Sequence, residues 1–345
     1  MGSTTAKSTG KRPLGELALV EQIRARAATS AGSLHLGIGD DCALLRLRRG
    51  EELAVTTDLS IAGRHFRLDW HPPESIGHRT MARGLSDLAA MGARPLAAFL
   101  SLGLQPGQTS GTASKPSWLN RFLNGLLALA AVHNTPLAGG DLSESPLTVA
   151  DIVLVGAVPR GRALLRSGAR PGDLIYVTGS LGGAAAGLAA LSQHFTHTAP
   201  GRSHAGRIPK KLEGFLASHL FPQPRIAQGL WLQRRGAATA ALDLSDGLST
   251  DLARLCRESG VAAEIDASAL PIHPSASLAQ ALHGGEDYEL LFTAAPETRV
   301  PKAISGVPVT RIGRMVRARI GRPAVVLITA QGKQTLEAQG WEHFS

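Results

Sequence analysis

Apolar residues recur along the chain in short runs, and their spacing alternates between the period of two typical of strands and the period of 3.6 typical of helices. In the first half, strand-like runs lie at residues 53–57, 95–104 and 150–159. Between them, residues 73–91 and 118–133 have the pattern of helices, and the first of these begins with Pro and Glu and ends before a glycine. This alternation predicts an α/β arrangement.

The second half begins after a turn-rich stretch at residues 159–173. A strand-like run at 174–179 leads into a glycine-rich helix start, and a further strand and helix follow at 239–260. Because 345 residues exceed the size at which a single core usually stops growing, we expect two domains, at residues 13–159 and 160–345.

Some segments depart from this pattern. Residues 1–12 are small, polar and basic, which predicts a disordered tail. Residues 192–214 are poor in apolar residues and rich in His, Gly and basic residues, which predicts a mobile surface insertion. Residues 103–117 predict a second loop of the same kind.

Composition limits the classes of function. The chain has 43% hydrophobic and 18% charged residues, which indicates a globular protein. A formal net charge of +9 would suit nucleic-acid binding, but the basic residues are spread out and aromatic residues make up only 4%, so we expect no nucleic-acid partner. No apolar run reaches the roughly 18 residues of a membrane span. With two cysteines, Cys42 and Cys256, that form no disulfide framework, we expect a cytoplasmic enzyme without a membrane partner.

Aspartates recur inside stretches rich in Gly, Ser and Ala that otherwise resemble core. The stretches are GIGDDCALL (37–45), VTTD (55–58), LSDLAAMGA (85–93), AGGD (138–141), LDLSDG (242–247) and GGEDYELLF (284–292). A buried carboxylate that is neither paired nor bound to a cation is destabilising by several kcal/mol. Because magnesium is usually held by carboxylates together with substrate phosphates, the pattern predicts a magnesium and phosphate site.

Two of these aspartates are placed where a charge needs compensation. Asp87 lies near the C-terminal end of the predicted helix 73–91, where the helix dipole disfavours a negative charge. Asp243 lies inside a strand-like run, and alternation puts Ser245 on the same side. Asp246 then begins a turn into the next helix, at the kind of strand end where open α/β sheets bind ligands.

The glycine-rich motifs are weaker signals. Gly139, Gly140 and Asp141 predict a close backbone approach at a strand end. The glycines of the GIGDD motif would let backbone amides face phosphate while Asp40 and Asp41 face a metal. The sequence contains neither a Walker loop nor the protein-kinase motifs.

In their order along the chain, the motifs resemble the thiamine-monophosphate kinase family of the aminoimidazole-ribonucleotide-synthetase-like superfamily. The motifs that carry the resemblance, within about residues 37–344, are GIGDDCALL, TTDLSIAGRHF, LSDLAAMGARP, GGDLS, RSGARPGDLIYVTGSLG, LDLSDGLSTDL and GGEDYELLFT. The resemblance implies an α+β fold of two α/β domains, an N-terminal domain that binds ATP and magnesium and a C-terminal α/β domain. It also implies a homodimer whose N-terminal strands form a shared barrel.

The resemblance further implies transfer of the γ-phosphoryl group of ATP to thiamine monophosphate, directly and in line, giving thiamine diphosphate and ADP. It assigns several Mg²⁺ ions to Asp41, Thr56, Thr57, Asp58, Asp87, Asp141, Asp243 and Asp246. It assigns ATP to Gly140, Asp141, Arg166 and Ser245, and thiamine monophosphate to His65, Glu286 and Trp341. Asp58, Asp87 and Asp246 are the expected catalytic residues.

Other classes of protein share parts of this sequence pattern. A sister enzyme, such as an aminoimidazole ribonucleotide or selenophosphate synthetase, would share the acidic motifs, and a basic nucleic-acid-binding protein would share the charge. A selenophosphate synthetase would need a reactive residue in a glycine-rich N-terminal loop, whereas Cys42 follows the paired aspartates at a position that looks structural. For Trp341 the alternative is a tail aromatic packed on the core, and for His65 it is a histidine bonded to backbone.

Overall fold

The structure is a computed structural model of the chain, and it describes residues 15–27, 32–112, 114–196, 210–321 and 324–341. The predicted tail at 1–12 and the centre of the predicted insertion lie outside the described residues. The two ends of that insertion are helical, because residues 192–196 belong to one helix and residues 210–214 to the next.

The helices are α1 (Glu16–Ala27), α2 (Pro73–Ala90), α3 (Trp118–Val132), α4 (Gly183–Thr196), α5 (Lys210–Leu220), α6 (Ile226–Arg235), α7 (Leu248–Ser259) and α8 (Leu278–His283). The strands of the first half are β1 (Leu34–Leu36), β2 (Leu44–Leu45), β3 (Glu51–Ile61), β4 (Arg94–Leu104), β5 (Leu137–Glu144) and β6 (Val149–Pro159). Those of the second half are β7 (Leu174–Thr178), β8 (Ala240–Asp243), β9 (Val261–Asp266), β10 (Leu290–Ala294), β11 (Ala303–Ile304), β12 (Val307–Arg317), β13 (Val325–Thr329) and β14 (Gly332–Thr335). Among the described residues, none of the helices combines the length and apolar character needed to cross a bilayer.

The first half is built on a sheet of the order β3-β6-β4-β5, in which β4 and β5 are parallel and the other neighbours antiparallel. Helices α2 and α3 pack together closely. Glycines allow this approach: a Cβ atom at Gly77 would lie 1.9 Å from the Phe122 carbonyl oxygen, and one at Gly125 would lie 1.8 Å from that of Glu74. The predictions of helices at 73–91 and 118–133 are confirmed to within one residue.

The second half is built on a longer mixed sheet of the order β14-β13-β9-β12-β7-β10-β8, with β11 paired to β12. The predicted strand and helix at 239–260 are confirmed as β8 and α7. The strand predicted at 53–57 is longer than expected, because β3 pairs with β6 over its full length. Residues 103–104, predicted as loop, belong to β4.

The two halves share packing. Helix α2 of the first half contacts α6 and strand β8 of the second, and the larger hydrophobic core contains residues of both halves. A second core lies wholly within the C-terminal half, around Ile175, Leu252 and Ile265. The C-terminal end of α2 is therefore held against the end of β8, where two of the predicted aspartates lie.

Candidate active site

A cleft of about 680 Å³ lies between the two halves of the chain. The predicted residues that line it are Asp58, His65, Asp87, Asp243, Ser245, Asp246, Glu286 and Trp341. A larger groove of about 1190 Å³ lies near the ends of α1 and α3, and none of the predicted site residues lines it. The smaller cleft is therefore the candidate active site.

The carboxylates of the cleft come from elements that the fold packs together. Asp58 lies in β3, Asp87 in the last turn of α2, and Asp243 at the end of β8. Helix α2 contacts both strands. Hydrogen bonds fix the side chains: the Thr56 hydroxyl donates to Asp87, and the Ser86 hydroxyl donates to Asp243 Oδ2 over 2.7 Å.

The electrostatic state of these carboxylates follows from their burial. Burial raises the pKa of Asp58 to about 6, against the opposing charge of Arg83 at 3.3 Å and with a further contribution from the charge of Asp87. Burial also raises the pKa of Asp87, which the Thr56 hydrogen bond partly offsets. Burial, followed by the charge of Asp87, raises the pKa of Asp243 to about 8. These groups disfavour one another's ionisation, and a bound cation would remove that penalty.

This donor set fits a hard cation, since ionised carboxylates offer only oxygen acceptors. Within the described residues, however, no group of three or more His, Cys, Asp or Glu side chains is gathered closely enough to hold a metal. Magnesium rarely needs such a cage, because it keeps several waters and usually binds one or two carboxylates together with substrate phosphates. The carboxylates therefore suit magnesium that arrives with a nucleotide.

Asp246 is oriented by its own local network. It follows β8 in the turn that ends at Gly247, the residue before α7, which has φ +107°. The Asp251 carboxylate accepts from the backbone N–H groups of Asp246 and Gly247 over 2.9 and 3.1 Å. Arg254 forms ion pairs with both Asp246 and Asp251. The Asp246 carboxylate thus has a positively charged neighbour beside it.

The opposite end of the cleft has less acid and more aromatic surface. His65 Nδ1 accepts from the backbone N–H of Ile61 over 3.1 Å, as in the alternative of a backbone-bonded histidine, yet the residue also lines the cleft. Trp341 is 50% exposed, so it is not buried in the core, and its backbone N–H donates to the Asp246 carbonyl oxygen. Phe66, Trp70 and Leu188 complete this wall.

Other predicted site residues lie outside the cleft lining. Asp41, Thr57, Asp141 and Arg166 are exposed. Thr57 lies on the other face of β3 from Thr56 and Asp58, because side chains alternate along a strand. The charge of Arg166 still lowers the pKa of Asp87, so its guanidinium lies within electrostatic range of the cleft.

The expectation that Gly139, Gly140 and Asp141 mark a strand end is wrong, since β5 continues to Glu144. Gly140 has φ +149°, and a Cβ atom there would lie 1.9 Å from the carbonyl oxygen of Leu100 in the neighbouring strand β4. The close approach that the glycines predict is therefore an approach to β4, and the glycine signal does not by itself indicate a ligand.

Sequence reasoning missed several residues of the cleft. Arg79 and Arg83 lie on α2 four residues apart, and Asp87 follows after four more, so the helical period places them along one face. This spacing could have predicted that Arg83 lies beside Asp87, and Arg83 does line the cleft. His71 and His219 also line it, and their positions in the sequence carry no motif.

Comparisons with known proteins identify the family of this chain. Residues 39–158 match the N-terminal domain of AIR synthase related protein, and residues 170–325 match the C-terminal domain of the same family. The thiamine-monophosphate kinase of Escherichia coli (strain K12) is 39% identical over 343 residues, covering 96% of this chain and 98% of that protein. That of Bacillus subtilis (strain 168) is 33% identical over 344 residues, covering 96% of this chain and 100% of that protein.

Solved structures give the same result. The thiamine-monophosphate kinase of Stenotrophomonas maltophilia K279a has a TM-score of 0.74 and 38% identity, covering 91% of this chain and 96% of that one. A structure described as AaThiL complexed with AMPPCP and TMP has a TM-score of 0.72 and 29% identity, covering 99% of both chains. A hydrogenase maturation protein HypE in complex with ATP, with a TM-score of 0.72 and 20% identity, shows the shared fold alone, covering 97% of both chains.

The α+β fold of two domains is thereby confirmed. With both family models matched in order and relatives at 33 and 39% identity over nearly their full length, the chain belongs to the AIR synthase related family and, within it, to the thiamine-monophosphate kinases.

Proposed function

We propose that this protein transfers the γ-phosphoryl group of ATP to thiamine monophosphate in a magnesium-dependent reaction that gives thiamine diphosphate and ADP. The observation that carries the proposal is the convergence of Asp58, Asp87 and Asp243 in one cleft, where each disfavours the ionisation of the others. A relative of 29% identity is described as a complex with AMPPCP and TMP, which supports the two substrates.

In the proposed reaction a phosphate oxygen of the acceptor bonds to the γ-phosphorus of ATP while the bond to the β,γ-bridging oxygen breaks, and ADP leaves with that electron pair. We propose that the transfer is direct, without a phosphoenzyme. Phosphoryl transfer requires mainly positioning and neutralisation of charge. Bound magnesium supplies that neutralisation, and the residues proposed to hold it are Asp41, Thr56, Thr57, Asp58, Asp87, Asp141, Asp243 and Asp246.

The chain's own residues do the positioning. Gly140, Asp141, Arg166 and Ser245 are proposed to contact ATP. The Arg166 guanidinium can place two parallel N–H donors on phosphate oxygens, and it already lies within electrostatic range of Asp87. Asp58, Asp87 and Asp246 are the proposed catalytic residues, because they line the cleft on the acidic side where the phosphates would meet.

The aromatic end of the cleft suits the acceptor. Thiamine carries a cationic ring, and a half-exposed Trp341 offers a face on which a cation is stabilised. His65 and Glu286 line the same cleft and are proposed to contact thiamine monophosphate together with Trp341. An acidic end for metal and phosphates and an aromatic end for the organic cation match the two parts of this acceptor.

A homodimer is part of the proposal. Strand β3 is at the edge of its sheet, and Leu53, Val55 and Leu59 are between 48 and 60% exposed along one face of it. An exposed apolar edge strand favours pairing with another chain. The double substitution Leu53→Asp with Val55→Asp should give monomers in sedimentation velocity, and an unchanged mass relative to the unmodified protein would exclude this surface as the interface.

The proposal also covers the domain boundary and the location of the protein in the cell. We place the domain boundary between residues 159 and 160, between the last strand of the first sheet and the first strand of the second. We place the protein in the cytoplasm, where ATP is abundant.

The direct test is an assay of purified protein with ATP, Mg²⁺ and thiamine monophosphate, in which thiamine diphosphate and ADP are measured by chromatography. Equal amounts of both products are expected, and chelation of the divalent cation should stop their formation. No product from thiamine monophosphate, with turnover of an aminoimidazole precursor or of selenide under the same conditions, would move the function to a sister enzyme.

A further inference from the structure

A buried cluster of nitrogen-containing side chains lies behind the aromatic end of the cleft. Arg79 Nη2 donates to Glu286 Oε1 over 2.5 Å, and Arg79 Nη1 lies 2.8 Å from His219 Nε2. His219 Nε2 in turn lies 3.0 Å from His71 Nε2. The side chains of Arg79 and His219 are 6% and 1% exposed, whereas that of Glu286 is 28% exposed and lines the cleft.

Glu286 needs this support because its backbone is in the left-handed region, with φ +68°. Few residues other than glycine adopt that region unless the surroundings fix them, and such residues cluster at functional sites. The backbone N–H of Glu286 donates to the Ser245 carbonyl oxygen over 2.8 Å, which ties its loop to the acidic end of the cleft. Arg79 then fixes the direction of the side chain.

Arg79 joins three separate segments of the chain. Besides Glu286, it donates to the backbone carbonyl oxygens of His65 over 3.3 Å and of His219 over 2.9 Å. The planar guanidinium presents several N–H donors in a fixed fork, which the single ammonium group of lysine does not reproduce. Arg79 therefore couples the loop that carries His65 to the loop that carries Glu286.

Both imidazoles have polar neighbours at each ring nitrogen. His71 Nδ1 lies 3.1 Å from both the backbone nitrogen and the carbonyl oxygen of Arg67, and its Nε2 lies 3.0 Å from His219 Nε2. Arg79 Nη1 lies 3.0 Å from Nδ1 and 2.8 Å from Nε2 of His219, and His219 Nδ1 lies 3.6 Å from Glu286 Oε2. Burial and the charge of Arg79 lower the pKa of both imidazoles, that of His71 to about 3, so both are neutral near pH 7.

We propose that Arg79 and the His71–His219 pair are positioning residues for the acceptor, which hold the Glu286 side chain aimed into the cleft. This inference rests on the proposed function and adds the structural origin of the selectivity for the phosphoryl acceptor. Glu286 Oε1 accepts from the guanidinium and Oε2 lies 3.6 Å from His219 Nδ1, and a carboxylate offers oxygen acceptors only. An acceptor-only group selects a substrate that presents an N–H donor, such as the amino group of the pyrimidine ring of thiamine, over one that presents only acceptors.

Kinetics of variants test the positioning. Arg79→Gln should raise the KM for thiamine monophosphate by about 10- to 100-fold and change the KM for ATP by less than about threefold, because a hydrogen bond to a charged group is lost only at the acceptor end. Arg79→Lys should recover part of the loss. Arg121→Gln is the matched control, since Arg121 pairs with Glu74 in the first turn of α2, neither residue lines the cleft, and both KM values should stay unchanged.

A double-mutant cycle shows whether Arg79 acts through Glu286. In a Glu286→Gln background, Arg79→Gln should add less than about threefold to the KM for thiamine monophosphate. Full additivity, or an equal rise in the KM for ATP, would overturn the proposal.

Imidazole ¹⁵N NMR of the unmodified protein without ligands is independent of the reaction. Each imidazole should carry a proton on one ring nitrogen only, unchanged between about pH 5 and about pH 8, because both rings are buried beside the charge of Arg79. An imidazolium signal from either residue would overturn the network even if thiamine monophosphate is the substrate. Neutral imidazoles together with no turnover of thiamine monophosphate would instead contradict the proposed function.

Discussion

The aspartates of this chain fall into two groups that have similar sequence surroundings and different environments. Asp58, Asp87 and Asp243 line a cleft, and burial raises the pKa of each of them. Asp41 and Asp141 also lie in glycine-containing motifs but are exposed. Ionised carboxylates of the cleft group destabilise the fold until a bound cation neutralises them. The exposed carboxylates are solvated in the single chain and carry no such penalty.

The position of the exposed group explains the contrast. Asp141 lies in β5, at one edge of the N-terminal sheet, and its own carboxylate accepts from the next backbone N–H over 2.9 Å. Asp41 lies in the loop before β2, where Asp40 accepts from its backbone N–H. Edge strands and loops leave side chains in water. We therefore expect the two groups to respond differently to substitution.

The largest expected effect is that of Asp87→Asn. Turnover should fall about 10³-fold or more, because the amide cannot neutralise or bind a cation as the carboxylate does. Thermal stability should be equal or higher, since one of the mutually repelling charges is gone. Steady-state kinetics and calorimetry measure both. Asp266→Asn, at an exposed residue that caps a short 3-10 turn, is the control with expected turnover near that of the unmodified protein. Near-normal turnover of Asp87→Asn at saturating magnesium would remove Asp87 from the site.

Gly140→Ala should cost about 3 kcal/mol of unfolding free energy, because its φ is unfavourable for alanine and the new methyl group would meet Leu100. Chemical denaturation measures the loss. Gly332→Ala is the matched control, because Gly332 has φ +117° with open space around it and should lose only the backbone part, about 1 kcal/mol. Equal losses would show that contact with β4 is not what requires a glycine at 140.

The pH dependence of stability should separate the two groups. A carboxyl whose pKa is raised on folding keeps its proton where the unfolded chain has lost it, so stability falls as pH rises. For Asp243 the fall should extend from its ordinary value of 3.8 to about 8. Metal-free protein should therefore lose several degrees of Tm between about pH 5 and about pH 8, and Asp243→Asn should lose clearly less. An identical slope in both proteins would contradict the buried state of Asp243.

The smallest expected effect is that of Asp141→Asn. We expect the magnesium concentration for half-maximal turnover to rise about tenfold, with a smaller change in kcat, because water can replace an exposed ligand. Titration of activity with magnesium measures it. Glu144→Gln, an exposed carboxylate in the same strand, is the control and should change neither value. A loss as large as that of Asp87→Asn would mean that the exposed group is buried in the working enzyme, as the proposed homodimer would allow.

The sequence by itself determined the local features of this protein. The spacing of apolar residues placed α2, α3, β4 and β6 within a residue or two, because these periods arise from backbone geometry. The ordered acidic motifs predicted a site of charged ligands, since aspartates in such apolar surroundings require a counter-charge. The family followed from the same motifs.

Only the tertiary structure decided which residues complete the cleft. Arg79 and Glu286 are 207 residues apart, and Arg79 and His219 are 140 apart, so neither contact leaves a periodic signal in the sequence. The exposure of Asp141 likewise depends on the place of β5 at a sheet edge, which strand pairing alone sets. Burial is a property of the packed chain, and for that reason the sequence motifs did not distinguish the buried Asp243, whose pKa is raised, from the exposed Asp141.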